Sequence, residues 1–149
     1  MLNAALNSGS RSEMESISNP HPALSLLVVE DDKVASGSIC LMIARKFPDV
    51  AIHVAGNGKQ GVELCKEQMP DIVITDINMP GMDGIRMAEE IKAMKADTKF
   101  IVLTGYSDKE HLDKFSEIGV NAYIVKPIEF VKLFAAIEKC LAEITQERL

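Results

Sequence analysis

Residues 50–61 read Val50-Ala51-Ile52-His53-Val54-Ala55-Gly56-Asn57-Gly58-Lys59-Gln60-Gly61, an apolar run that closes on G-x-G-x-x-G. The reading of this stretch decides between two folds. A strand, a glycine-rich turn and a helix in succession form the fingerprint of dinucleotide-binding sheets, which seat a pyrophosphate on the helix N-terminus. Asp76 even stands 20 residues beyond Gly56, near the distance at which such sheets keep a ribose-binding acid.

The sequence on either side of the stretch points elsewhere. Four further short runs, 24–29, 71–75, 99–103 and 122–125, are apolar enough for buried strands, and Val73, Ile74, Val102 and Ile124 make them β-prone. Near-continuous apolar runs are what a parallel sheet covered on both faces requires. Segments of helical length, 33–47, 60–68, 84–94, 109–118 and 129–144, separate or follow them. Each carries apolar residues at helical spacing, such as Ile85, Ala88 and Ile91 in the third, and Phe134, Ile137, Leu141 and Ile144 in the fifth. Five βα units predict an α/β fold: a doubly wound, five-stranded parallel sheet with five helices and right-handed crossovers. Five strands suit the flavodoxin-like order 2-1-3-4-5. The glycine motif then follows an edge strand, away from the switch point between strands 1 and 3. Only one strand separates the helix after the glycines from Asp76, which is too little for a ribose acid. The motif reads as a tight turn into a helix.

Composition narrows the function. A net charge of -6 over 149 residues argues against a nucleic-acid-binding surface. No apolar run approaches a membrane span, and the N-terminus lacks the pattern of a secretory signal. Cys40, Cys65 and Cys140 form no C-x-x-C pair and read as reduced thiols of a cytoplasmic protein. His21, His53 and His111 have no metal-type spacing. Residues 1–23, rich in serine and asparagine, are expected to be a flexible tail or linker. One domain is expected over 24–147, with no output domain after it.

Ligands of open α/β sheets bind outside the carboxyl ends of the strands. Those ends carry Glu30-Asp31-Asp32 after strand 1, Asp76 and then Asn78 and Pro80-Gly81 after strand 3, Thr104-Gly105 after strand 4, and Lys126-Pro127 after strand 5. Each has an ordinary reading alone: Asp32 caps the following helix, and Pro80-Gly81 marks a turn. Together they gather acids, a hydroxyl and an amine on one edge. Carboxylates about 4 Å apart cost roughly 4 kcal/mol near a protein surface, which a cation relieves. An oxygen-only set favours Mg²⁺ shared with phosphate oxygens. Lys126 can pair with a carboxylate or a phosphoryl group, Thr104 can donate to the same oxygen, and a carboxylate can attack phosphorus.

The segments LLVVEDD (26–32), DIVITDINMPGMDG (71–84), IVLTG (101–105) and AYIVKP (122–127) stand in the order and spacing of a known family. The chain from residue 24 to about 147 resembles the receiver domain of two-component response regulators, in the manner of the chemotaxis regulators. The resemblance implies that Asp76 is the phospho-acceptor. It implies that Asp31 binds Mg²⁺ directly, that Glu30 acts through a metal-bound water, and that Asn78 lends its backbone carbonyl. Thr104 would bind the phosphoryl group and move with it, Lys126 would bridge to it, and the ring of Tyr123 would turn inward as Thr104 moves. The bond before Pro127 would be cis. The implied donor is a histidine kinase or phosphotransfer protein. The implied output is a changed face of helix 4, strand 5 and helix 5, for a downstream effector or a phosphorylation-dependent homodimer. Glu30 stands where many members have Asp.

Two other functions use the same residues. A Mg²⁺-dependent phosphohydrolase working through an aspartyl phosphate would want a second acid two residues after the nucleophile, where this chain has Asn78. A docking module with a silent pocket would tolerate the loss of Asp76, Thr104 or Lys126, and all three are present.

Overall fold

Strand residues of alternate parity go to opposite faces, and here both faces are apolar. The computed structural model describes residues 24–77, Met79, Met82, 84–105 and 109–149, with the side chains of 109–111 outside the description. The tail expected over 1–23 lies outside the described residues. The elements run β1 (Ser25–Val29), α1 (Lys33–Lys46), β2 (Ala51–Ala55), α2 (Gly58–Gln68), β3 (Ile72–Asp76), α3 (Gly84–Met94), β4 (Lys99–Thr104), α4 (Lys109–Ile118), β5 (Ala122–Val125) and α5 (Phe130–Glu147). The five strands are parallel, in the order β2-β1-β3-β4-β5.

Leu27, Val29, Val73, Phe100 and Val102 meet Val62 and Cys65 of α2, Met87, Ala88 and Ile91 of α3, and Phe115 of α4. Leu26, Val28, Ile72, Ile74, Ile101 and Leu103 meet Ile39 and Ile43 of α1, and Leu133, Ile137, Cys140 and Ile144 of α5. A fully buried aliphatic or phenyl side chain contributes roughly 1.5–3 kcal/mol, so the two cores hold the sheet rigid beneath its loops. β2 is the edge strand expected of it, with Val54 half-exposed, and β5 is the other edge. Among the described residues no helix is long and apolar enough to cross a membrane. Cys40, Cys65 and Cys140 are free thiols, and burial pushes Cys65 and Cys140 up to about 11, which makes them inert as nucleophiles.

The glycine motif has a packing explanation. Asn57 caps α2, its Oδ1 accepting from the Gln60 amide at 2.9 Å, while Gln60 Oε1 accepts from the Gly56 amide at 2.8 Å. This reciprocal cap starts the helix at Gly58, two residues before the sequence expectation. A Cβ on Gly58 would lie 2.6 Å from the Met82 carbonyl oxygen, and one on Gly61 would lie 2.8 Å from Met87 Sδ and 3.3 Å from Val29. The glycines let α2 press against α3, β1 and the segment before α3. At its other end α5 runs three residues past the expected stop, where Lys99 Nζ meets Glu147 Oε2 at 2.6 Å.

Candidate functional site

β1 and β3 are neighbours with Val29 opposite Thr75. The next rung therefore sets Glu30 beside Asp76 at the point where strand order reverses. Both carboxylates are buried, at 5% and 7% exposure, while Asp31 is exposed. Asp32 turns away from this group: its Oδ1 caps α1 by accepting from the Val34 and Ala35 amides at 2.9 and 3.2 Å. The Asp32 amide in turn donates to Glu30 Oε2 at 3.1 Å, which fixes the Glu30 carboxylate. Asp76 is fixed through its backbone, with the buried Thr75 hydroxyl donating to its carbonyl at 2.9 Å. At Gly84 an added Cβ would lie 3.0 Å from the Asp76 carbonyl oxygen and 3.2 Å from the Phe115 ring. Thr75 and Gly84 gave no signal as site residues in the sequence, because both act through the backbone of Asp76.

Oxygen atoms of Glu30, Asp31 and Asp76 lie within 4.8 Å of one another. At that distance and an effective dielectric of 20, each pair of charges costs about 3.5 kcal/mol. Burial holds the Glu30 carboxyl above the usual glutamate value; the Asp32 amide lowers it, Asp31 and Asp76 raise it further, and Lys126 lowers it. Lys126 supplies the partial offset. It follows β5, with its amide donating to the Thr104 carbonyl at 2.8 Å, and its side chain crosses β4 to reach β3. Two strand spacings are about 9.6 Å, a span that calls for a side chain of this length. Lys126 Nζ ends 3.0 Å from Asp76 Oδ2 and 3.9 Å from Glu30 Oε1. The Lys126–Pro127 bond is cis. These residues open into a groove of about 540 Å³ whose walls include Ala35, Ser38, Ile128 and Phe130, between α1 and the start of α5.

Thr104 ends β4, 2% exposed, its hydroxyl 3.2 Å from the Gly105 carbonyl. Tyr123 pairs in register with Val102, two residues before Thr104, so Tyr123 and Thr104 share the α4 face of the sheet. The Tyr123 ring points outward, 37% exposed, with its hydroxyl 3.0 Å from Ser116 Oγ on α4. Asn78, Pro80 and Gly81 lie outside the described residues. The arrangement thus brings Glu30, Asp31, Asp76 and Lys126 into contact distance, with Thr104 on the next strand and Tyr123 beyond it.

The donor set suits a hard cation. Opposite oxygens on one Mg²⁺ stand about 4.2 Å apart at a metal–oxygen distance of about 2.1 Å. Three carboxylates gathered within 4.8 Å form an oxygen-only set that such a cation could draw together, directly or with one of them acting through water.

Comparison with known proteins agrees with this geometry. The family model of the response regulator receiver domain matches residues 26–138. A probable C4-dicarboxylate response regulator, DctR of Bacillus subtilis, is 34% identical over 114 residues, which are 76% of this chain and 50% of that protein. A probable chemotaxis protein, CheY of Rhizobium etli, is 32% identical over 114 residues, 75% of this chain and 88% of that protein. Among solved structures, the N-terminal domain of an uncharacterized protein from Wolinella succinogenes aligns with a TM-score of 0.77 at 35% identity. That alignment covers 85% of this chain and all of that domain. The chain spans half or less of the length of several curated transcriptional regulators it matches, 33% of YesN of Bacillus subtilis and 27% of ZraR of Escherichia coli among them.

Proposed function

We propose a function from one premise: the chain belongs to the response regulator receiver domain family, the receivers of two-component systems. On this reading Asp76 is the phospho-acceptor. Its carboxylate oxygen attacks the phosphorus of a phosphohistidine on a histidine kinase or phosphotransfer protein. The P–N bond breaks in line, and its electron pair leaves with the imidazole, which takes up a proton. Asp31, Asp76 and the Asn78 backbone carbonyl would hold Mg²⁺, with Glu30 acting through a bound water, and the ion when bound supplies charge neutralisation for the transferring group. Lys126 moves from its ion pair with Asp76 to a phosphoryl oxygen. The Thr104 hydroxyl donates to another. The new charge beside Thr104 then biases a two-state element made of Thr104, the segment after it, α4 and Tyr123. The face of α4, β5 and α5 is the surface offered to a downstream effector or a second copy. The receiver occupies 24–147 with 1–23 as a tail or linker, works in the cytoplasm, and turns over no small-molecule substrate.

The observation that carries this reading is the crowding of Glu30, Asp31 and Asp76 within 4.8 Å, with Lys126 3.0 Å from Asp76. Intact mass after incubation with acetyl phosphate or phosphoramidate tests it. The expected result is a Mg²⁺-dependent gain of one phosphoryl group in the wild type and none in Asp76→Asn. No gain while Mg²⁺ binds would contradict it and favour the silent docking module. Continuous release of phosphate from small phosphoesters would favour the hydrolase.

A further inference from the structure

α4 is thinly anchored. Among the described residues it contributes one buried side chain, Phe115, whereas α2 buries those of Val62 and Cys65, α3 those of Met87, Ala88 and Ile91, and α5 those of Leu133, Ile137, Cys140 and Ile144. Leu112 and Ile118 pack only partly against the same core. A polar tie adds to this. Ser116 Oγ donates to the Leu112 carbonyl at 3.1 Å, one helical turn back. That leaves the oxygen of Ser116 to accept from the Tyr123 hydroxyl at 3.0 Å. The Tyr123 oxygen also lies 3.5 Å from the Leu112 carbonyl oxygen. The result is a relay from β5 into the backbone of α4, Tyr123 O–H to Ser116 O–H to the Leu112 carbonyl. Bonds arranged in such a chain polarise one another.

Its location matters. β4 ends at Thr104, and α4 begins five residues later at Lys109. A displacement of Thr104 therefore reaches α4 through a very short connection, and the relay is what α4 must break to move relative to β5. We propose that Ser116 is a positioning residue: by relaying the Tyr123 hydrogen bond to the Leu112 carbonyl, it holds α4 on the edge of β5 and sets the threshold at which events at Asp76 displace that helix. The relay itself is independent of the chemistry at Asp76; the threshold rests on the phospho-acceptor reading.

Ser116→Ala removes the relay and keeps a good helix former in place. Amide hydrogen exchange of the full chain, without Mg²⁺ or any phosphodonor, should show α4 exchanging roughly two- to tenfold faster in Ser116→Ala, the range for loss of one hydrogen bond. Tyr123→Phe should do the same, and the double variant should be no faster than either single one. Ser116→Thr, which restores the hydroxyl, should return exchange toward wild type. Unchanged α4 exchange in Ser116→Ala, or additive effects of the two variants, would overturn the relay. The second arm uses beryllofluoride with Mg²⁺, a mimic of the phosphoryl group. By reciprocity, a helix freed from its tie should let beryllofluoride bind two- to tenfold more tightly in Ser116→Ala than in wild type. Equal affinities beside faster exchange would overturn the threshold and leave a local tie. If beryllofluoride fails to bind even the wild type, the phospho-acceptor reading and the threshold fall together, while the exchange comparison still decides the relay.

Discussion

The two ends of the sheet treat charge in opposite ways. At the N-terminal end, Asp71 is buried yet fully engaged: it accepts from the Ser25 amide at 2.9 Å, pairs with Arg148, and lies 3.9 Å from Lys95. Lys95 also holds Asp97 at 2.9 Å, and Lys99 holds Glu147 at 2.6 Å. Three acids face three bases. At the C-terminal end, Glu30, Asp31 and Asp76 crowd together, and the described amine beside them, Lys126, pairs with Asp76 and Glu30. One end closes the sheet against α5 with its charges matched. The other keeps a surplus of negative charge on a rigid frame, a cost to the free protein that a cation or a phosphoryl–cation pair removes.

That contrast predicts opposite signs for removing an acid at the two ends. Asp71→Ala should be the larger effect. It leaves the Ser25 amide without its acceptor and Arg148 and Lys95 without a shared partner, so urea unfolding should show a loss of roughly 2–3 kcal/mol. A loss below about 0.5 kcal/mol would mean that the matched end is ordinary surface.

Glu30→Gln should stabilise the metal-free protein at neutral pH, by about 1 kcal/mol, since it removes a buried charge from a repelling group while keeping an acceptor for the Asp32 amide. The pH dependence fixes the sign. A carboxyl raised by folding binds more protons in the folded state than in the unfolded one, so stability falls as pH rises from the ordinary glutamate value through the raised one. Below that window wild type and Glu30→Gln should converge, and above it the variant should be the more stable. A gain that is the same at all pH values would trace to packing instead of charge.

Gly37 calibrates the scale. It lies inside α1 on the open end's flank, exposed, with nothing within 4 Å of an added Cβ. Gly37→Ala should stabilise by roughly 0.5–1 kcal/mol through helix propensity alone. In thermal melts that gain should persist unchanged at every pH and Mg²⁺ concentration, in contrast with the gain from Glu30→Gln.

Legibility in the sequence followed the same division. The sheet order, the five helices and the convergence of Glu30, Asp31, Asp76, Thr104 and Lys126 could be read because they follow from strand periodicity and from one rule about strand ends. The matched end could not be read that way: Asp71 and Arg148 are 77 residues apart, and nothing local announces their pairing. The place of the motif 56–61 after an edge strand told against a phosphate site in the sequence, but the packing its glycines serve, with Met82 and Met87 against Gly58 and Gly61, shows only in the structure. Met69 is similarly silent. It caps α2 in the left-handed region at φ 47, where glycine is the usual choice, while its neighbour Pro70 ends the helix. Ser116 reads as a solvent-facing helix residue until Tyr123 is placed beside it.

The most direct test of the charge surplus is a Mg²⁺ titration of the melting temperature in wild type and Asp31→Asn. Asp31 is exposed, so its replacement leaves the cores intact. A ligand at one hundred times its Kd stabilises by about 2.7 kcal/mol, and 1 kcal/mol is worth roughly 4 °C in a domain of this size. The account predicts a saturable rise of about 10 °C in wild type and a much weaker response in Asp31→Asn. A melting temperature that ignores Mg²⁺ in both, or rises equally in both, would contradict it.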